Sequence, residues 1–253
     1  MSSISCTNTE GKSSRTRKKL GVIGGMGPAA SAYFYELLTS MTPAETDQEH
    51  LEVYIISRPT IPDRTAFILG KSSESPVPFV IEAGNALALL GADLLAIPCA
   101  TTHHFYDELT RSIKLPIIHM IRETAAYLSS LGVQTAGVMA TNGAVKSGLF
   151  QKEMGAAGIR AVFPTSQMQS NVMYLIYDCI KAGKKFDSVM FESIVDNLSD
   201  NGSQAIILAC TELSLIKRDI KLNAPFIDVL DVLARRCIEL CCAFPHSSSE
   251  VSI

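Results

Sequence analysis

The sequence predicts an α/β protein of two similar doubly wound α/β domains, related by a pseudo-two-fold, with an active site in the cleft between them. Three observations predict it. The first is a pair of apolar runs, Leu94-Leu95-Ala96-Ile97-Pro98-Cys99-Ala100-Thr101-Thr102 and Ile206-Ile207-Leu208-Ala209-Cys210-Thr211-Glu212-Leu213, each stopping at a cysteine before small polar residues. The second is a glycine-led echo, Gly21-Val22-Ile23-Gly24-Gly25 against Gly137-Val138-Met139-Ala140-Thr141-Asn142-Gly143, which precedes each cysteine at a similar distance. The third is the helical patterning that flanks these runs. A short apolar run between helices reads as a buried parallel strand, and a repeated layout reads as duplication. Each cysteine then sits at a strand's carboxyl end, where open α/β sheets bind ligands. Taken singly, either cysteine also fits a small buried hydrophobe; their matched placement is what points to chemistry.

The 253 residues are enough for one large domain or two smaller ones, and 47% hydrophobic with 19% charged residues is the balance of a soluble globular chain. A net charge of −3 gives no electrostatic basis for binding nucleic acid or an anionic membrane surface. No apolar run reaches a membrane span, and the polar first 20 residues show no signal peptide. Seven cysteines without framework spacing fit a reducing, cytoplasmic compartment. The absence of CxxC and HExxH spacings argues against a zinc site, and no metal is expected.

Residues 1–18, rich in Ser, Thr and Lys, read as a disordered tail. A first strand over 19–23 enters the turn Gly24-Gly25-Met26-Gly27-Pro28, and a helix follows over 29–39 with Pro28 suited to its first position. The turn suits close backbone approach to an anion, and Gly25–Ala30 matches the GxGxxA dinucleotide pattern. However, the next strand, over 51–57, ends at Arg58 rather than the acidic residue that would hold a ribose, which disfavours a dinucleotide-binding oxidoreductase. Pro59-Thr60-Ile61-Pro62-Asp63-Arg64-Thr65 reads as a loop. In it Arg64 is placed either to fork onto a carboxylate or to be stapled by Asp63. A loop over 71–78, a helix over 79–90, the Cys99 strand, a helix over 103–111, a short strand over 116–120 and a helix to Leu131 complete the first unit. His103 and His104 read as opening residues of their helix, with a supporting role at most.

The second unit starts near Gln134. Its first strand ends at Thr141-Asn142-Gly143, a second candidate anion-holding turn. A helix over 144–155, a strand over 159–163 and a loop over 164–168 follow. The next helix, over 169–182, carries Lys181 before the stop signal Gly183; a cation there also serves simply to complement the helix dipole. A helix over 187–201, the Cys210 strand, a last strand over 225–228 and a last helix over 229–243 follow, and 245–253 read as a frayed end.

Gly24-Gly25-Met26-Gly27-Pro28, Ile61-Pro62-Asp63-Arg64-Thr65, Pro98-Cys99-Ala100-Thr101, Lys181-Ala182-Gly183 and Cys210-Thr211-Glu212 stand in this order and spacing. Together they resemble the cofactor-independent aspartate/glutamate racemases, aspartate racemases above all, over about residues 19–240. The resemblance implies a first domain of 19–120 plus 226–245, to which the last strand and helix return, and a second domain of 121–225, usually in a homodimer. It implies Cys99 and Cys210 as the two proton-transfer residues, with no cofactor. It implies that Arg64 and Lys181 recognise an acidic amino acid. Met26 of the Gly-rich turn, Thr101, Asn142 and Thr211 match the cradle for its α-carboxylate and amino group, and Ala100, Thr141, Gly143 and Glu212 stand beside them. Two positions depart from the family pattern: Ala100 stands where asparagine is usual, and Ala144 where threonine is usual.

The chemistry explains the duplication. Racemisation removes an α-proton from one face and returns one to the other, so two acid/bases on opposite faces avoid any movement of the base. The α-carbon is a weak acid, and fixed donors around the carboxylate must stabilise the carbanion. Related isomerases and decarboxylases of the same scaffold are alternatives, although decarboxylation needs only one proton donor. A non-catalytic binding protein for acidic amino acids is a third reading, kept open by Ala100 and Ala144.

Overall fold

The computed structural model describes residues 17–222 and 225–242. The expected tail, apart from Arg17 and Lys18, and the expected frayed end lie outside the described residues. Arg17 and Lys18 are tied down: Arg17 Nη1 donates to the Glu49 carbonyl at 2.8 Å and the Lys18 amide to the Cys241 carbonyl at 3.1 Å.

Two parallel sheets carry the chain. In the first, β1 (Leu20–Gly24) lies between β2 (Val53–Ser57) and β3 (Leu94–Ala96). Beside β3, Leu95 donates to the Pro116 carbonyl at 2.8 Å and receives the Ile118 amide at 2.9 Å, which makes 116–118 a one-bridge fourth rung. In the second, β4 (Thr135–Met139) lies between β5 (Arg160–Val162) and β6 (Ala205–Leu208), with β7 (Phe226–Asp228) beyond β6. The order β5-β4-β6-β7 repeats β2-β1-β3 and its fourth rung. The echoed glycines have a common reason: a Cβ on Gly21 would stand 2.6 Å from Leu95 Cδ2, and one on Gly137 2.8 Å from Ser203 Oγ.

Helices cover both faces of each sheet, as period-2 strands buried on two sides require. Val22 and Val138 feed one apolar core shared by the two units, whereas Ile23 and Met139 feed a separate core behind each sheet. The first unit holds α1 (Pro28–Met41), α2 (Arg64–Ile68), α3 (Val77–Leu89), α4 (Tyr106–Ser112) and α5 (Met120–Ser130). The second holds α6 (Asn142–Lys146), α7 (Leu149–Ala156), α8 (Ser166–Tyr174), α9 (Ser188–Asp200), α10 (Leu213–Asp219) and α11 (Val229–Cys242). None of the described helices is long and apolar enough to cross a membrane.

The structure departs from the sequence reading at five places. Arg64 opens α2 instead of lying in a loop, because Asp63 accepts the Ala66 amide at 2.7 Å and caps it. The helix read over 144–155 divides into α6 and α7 at Gly148, whose φ of +69° only glycine adopts freely. A 3-10 turn, Ala100–Phe105, precedes α4 where one helix was read. Helix α10, which directly follows Thr211 and Glu212, has no counterpart among the elements the sequence predicts. Finally, the last strand does not return to the first sheet: β7 pairs with β6, Leu208 against Asp228. The helices cross over instead. Helix α11 leaves the second sheet to pack on α1, while α5 leaves the first to pack on α7, and the two lie against each other. This reciprocal exchange holds the two strand-end faces together.

Candidate active site

Cys99 follows β3 by three residues and Cys210 follows β6 by two, so both stand at carboxyl ends of equivalent strands. They are 5% and 6% exposed and line one small cavity. Met26, Arg64, Ala100, Thr101, Thr141, Lys181, Thr211 and Glu212 also line it. Asn142 and Gly143 do not. The Asn142 carboxamide oxygen accepts from Gln169 Nε2 at 2.9 Å, and Gly143 abuts the backbone of Thr65 in α2. Of the Gly-rich turn only Met26 reaches the cavity; the Gly25 amide donates to Ser31 Oγ at 2.9 Å inside the turn.

Three lining residues were not singled out from the sequence: Asp63, Thr65 and Tyr177. The first two flank Arg64 in a quoted motif, so adjacency was a usable signal. Tyr177 carried none. It sits in a π-helical turn, Leu175–Ile180, that extends α8 and so changes which side chains face the cavity. Its hydroxyl donates to Asp63 Oδ2 at 3.0 Å. Burial, with the Asp63 charge behind it, pushes this phenol up and keeps it a donor.

Arg64 is 8% exposed. Its Nη1 donates to the Ile61 and Pro62 carbonyls at 3.2 and 3.0 Å, and its Nη2 to the Met26 carbonyl at 3.3 Å. Its Nε is buried without a partner. No ion pair to Asp63 forms, so the staple reading gives way to a guanidinium clamped by backbone with a donor left over. Burial opposes its charge, but Cys99 and Asp63 outweigh that and raise it.

The other cysteine has opposite company. Cys210 Sγ donates to Glu212 Oε2 at 2.9 Å, and Lys181 Nζ pairs with Oε1 of the same carboxylate. Burial, reinforced by Glu212, pushes the Cys210 thiol well up, so it rests protonated. Lys181 also stands 5.6 Å over the Tyr177 ring. It is therefore held by tertiary partners, not merely by the end of its helix.

His103 supports the first cysteine from behind. Its Nδ1 stands 3.1 Å from the Cys99 carbonyl, and its Nε2 stands 3.2 Å from the Met120 amide and 3.3 Å from the Ile118 carbonyl, so the ring is held on both sides by backbone. Burial lowers His103 and favours its neutral form. Ala144, one of the two departures, is buried and outside the lining; its amide donates to Thr141 Oγ1 at 3.2 Å.

Two strand-end cysteines stand at one small, cation-bearing cavity between duplicated α/β units. The profile of the Asp/Glu/hydantoin racemase family matches residues 23–237, and the chain belongs to that family. The structure of an aspartate racemase from Picrophilus torridus superposes with a TM-score of 0.79 at 33% identity, covering 87% of this chain and 93% of that one. A broad specificity amino-acid racemase, RacX, of Bacillus subtilis is 24% identical over 233 residues, 89% of this chain and 99% of that protein. A glutamate racemase of Persephonella marina is 26% identical over 167 residues, 64% of this chain and 62% of that protein.

Proposed function

We propose that this protein racemises acidic amino acids, aspartate foremost, without a cofactor, by proton transfer between Cys99, the α-carbon and Cys210. The observation that carries the reading is the single cavity lined by both cysteines and by Arg64, whose buried Nε awaits an acceptor. A thiolate on one side removes the α-proton while the thiol opposite delivers its own. The S–H bond formed on one side replaces the one broken on the other, and the next turnover runs in reverse. Cys210 supplies the resting thiol, and the Arg64 cation lies beside Cys99.

The carbanion needs charge-stabilising donors fixed around its carboxylate in a site closed to water. This reading assigns that role to the Arg64 Nε and the hydroxyls of Thr101 and Thr211. Lys181 supports a preference for a second carboxylate, and the aspartate racemase among the similar structures is consistent with it. The test is incubation with each enantiomer of aspartate and glutamate in heavy water, following optical rotation and α-deuterium together. The expected result is loss of rotation with deuterium entering product before recovered substrate. If no acidic amino acid exchanges its α-proton, a binding protein becomes the better account.

A further inference from the structure

The Glu212 carboxylate has three side-chain partners and one charge. Oε2 takes the Cys210 thiol hydrogen at 2.9 Å, with Thr211 Oγ1 at 3.4 Å from the same oxygen, and Oε1 holds Lys181. The residue is 4% exposed. Lys181 and Glu212 also line both the catalytic cavity and an outer, more open chamber beside it. Lys181 can thus be reached by a ligand while Glu212 keeps its contact with the thiol.

We propose that the second carboxylate of a dicarboxylic amino acid takes Lys181 away from Glu212, and that the released Glu212 draws the proton from Cys210 and readies it as the base of the turnover in which the Cys99 thiol is the acid. This rests on the racemase reading and specifies how that site selects its substrate class. A buried carboxylate that loses its ammonium partner is left uncompensated, and its affinity for a proton rises. Cys210 loses only a more distant cation, whereas Glu212 loses a direct hydrogen bond, so the balance moves toward a proton on Glu212. The S–H bond breaks, an O–H bond forms on Oε2, and the pair keeps one negative charge throughout. A monocarboxylic amino acid has nothing with which to free Glu212. The other groups facing the pair are Tyr177 and Asp63, which bond each other, and Arg64 and Cys99 across the cavity.

The test uses the full chain carrying Cys99→Ser, with the ultraviolet absorbance of the thiolate read across pH against the Cys99→Ser/Cys210→Ser double variant. Succinate is the probe and propionate the control. Succinate should move the Cys210 titration to lower pH by about one unit, a ten-fold change in ionisation, and propionate should not. Simple repulsion between an added anion and a thiolate has the opposite sign. Adding Glu212→Gln should abolish the shift. In the otherwise unaltered chain, Glu212→Gln should lower KM for aspartate several-fold, because Lys181 is free, while kcat falls about a hundred-fold. A purely structural role would not separate the two. No succinate shift, or a KM that rises as kcat falls, overturns the coupling. Should Glu212→Gln not fold, the succinate titration of Cys99→Ser decides alone. Deuterium labelling of aspartate without a succinate shift overturns only the coupling, whereas no labelling overturns the racemase reading itself.

Discussion

The hydroxyl of Thr101, two residues past the first cysteine, meets the hydroxyl of Thr141, at the end of the second unit's first strand, at 3.0 Å. Thr141 Oγ1 also accepts the Ala144 amide and so caps α6. One hydroxyl pair thereby joins the two strand-end faces at the cavity. Thr101→Val removes the bridge alone and should cost about 1 kcal/mol, while Thr141→Val removes bridge and cap and should cost about 2 kcal/mol. Urea denaturation midpoints check the order. If Thr101 also holds the substrate carboxylate, its variant will lose more kcat/KM than this stability loss accounts for.

Cys99→Ser and Cys210→Ser should each fold with unaltered circular dichroism and lose nearly all racemisation, because a hydroxyl is a far poorer base than a thiolate. Turnover in either variant near that of the unaltered chain would exclude the two-base mechanism.

Arg64→Lys retains the charge but not the planar fork, and should lower kcat/KM for aspartate by roughly ten- to a hundred-fold. Arg64→Ala should also destabilise the fold by about 1–3 kcal/mol, since three carbonyls lose their donor. Steady-state kinetics alongside thermal melts separate the two effects. Unchanged kinetics would make Arg64 a strut for the Met26 turn and nothing more.

Burial, helped by His103 and Arg122 nearby, pushes His119 down to about 3. Glu153 lies 3.8 Å from its Nε2, but both Glu153 oxygens are taken by Arg122, at 2.9 and 3.2 Å, so the pair does not recover the proton. The unfolded chain therefore binds a proton that the folded one refuses. Stability should fall as pH drops from about 6.5 toward 3, by up to about 1.4 kcal/mol per pH unit from this group. Asp228, raised by burial to about 6, acts in the opposite sense over part of the range. His119→Asn isolates the histidine, because asparagine can still cap α5, where His119 Nδ1 now accepts the Arg122 amide. Its denaturation free energy should show a shallower acid slope than that of the unaltered protein.

Ala100 lines the cavity and offers the substrate no side-chain donor. Losing one preorganised donor can cost about 3 kcal/mol of transition-state stabilisation. Ala100→Asn should raise kcat/KM for aspartate at least several-fold. Adding Ala144→Thr should contribute little, since Ala144 stands behind Thr141 rather than in the lining. An unaltered chain already fast on aspartate and slowed by Ala100→Asn would mean the pocket is shaped around alanine.

What the sequence determined by itself is local. Apolar runs of strand length, the glycines that precede them and the cysteines that end them specify two parallel units and put a thiol at the ligand-binding end of each, because period and chain-turning depend on neighbouring residues. Five short motifs hold nine of the expected site residues that line one cavity, and the Thr141 turn adds a tenth. What only the tertiary structure decided is how separated groups pair. Tyr177 meets Asp63 across 114 positions and Lys181 meets Glu212 across 31. The π-helical turn that aims Tyr177, the diversion of Asn142 to Gln169 and the pairing of β7 with β6 likewise leave no periodic trace. A buried charge takes whichever partner the closed fold brings to it, since leaving it unpaired costs more than any local preference can repay.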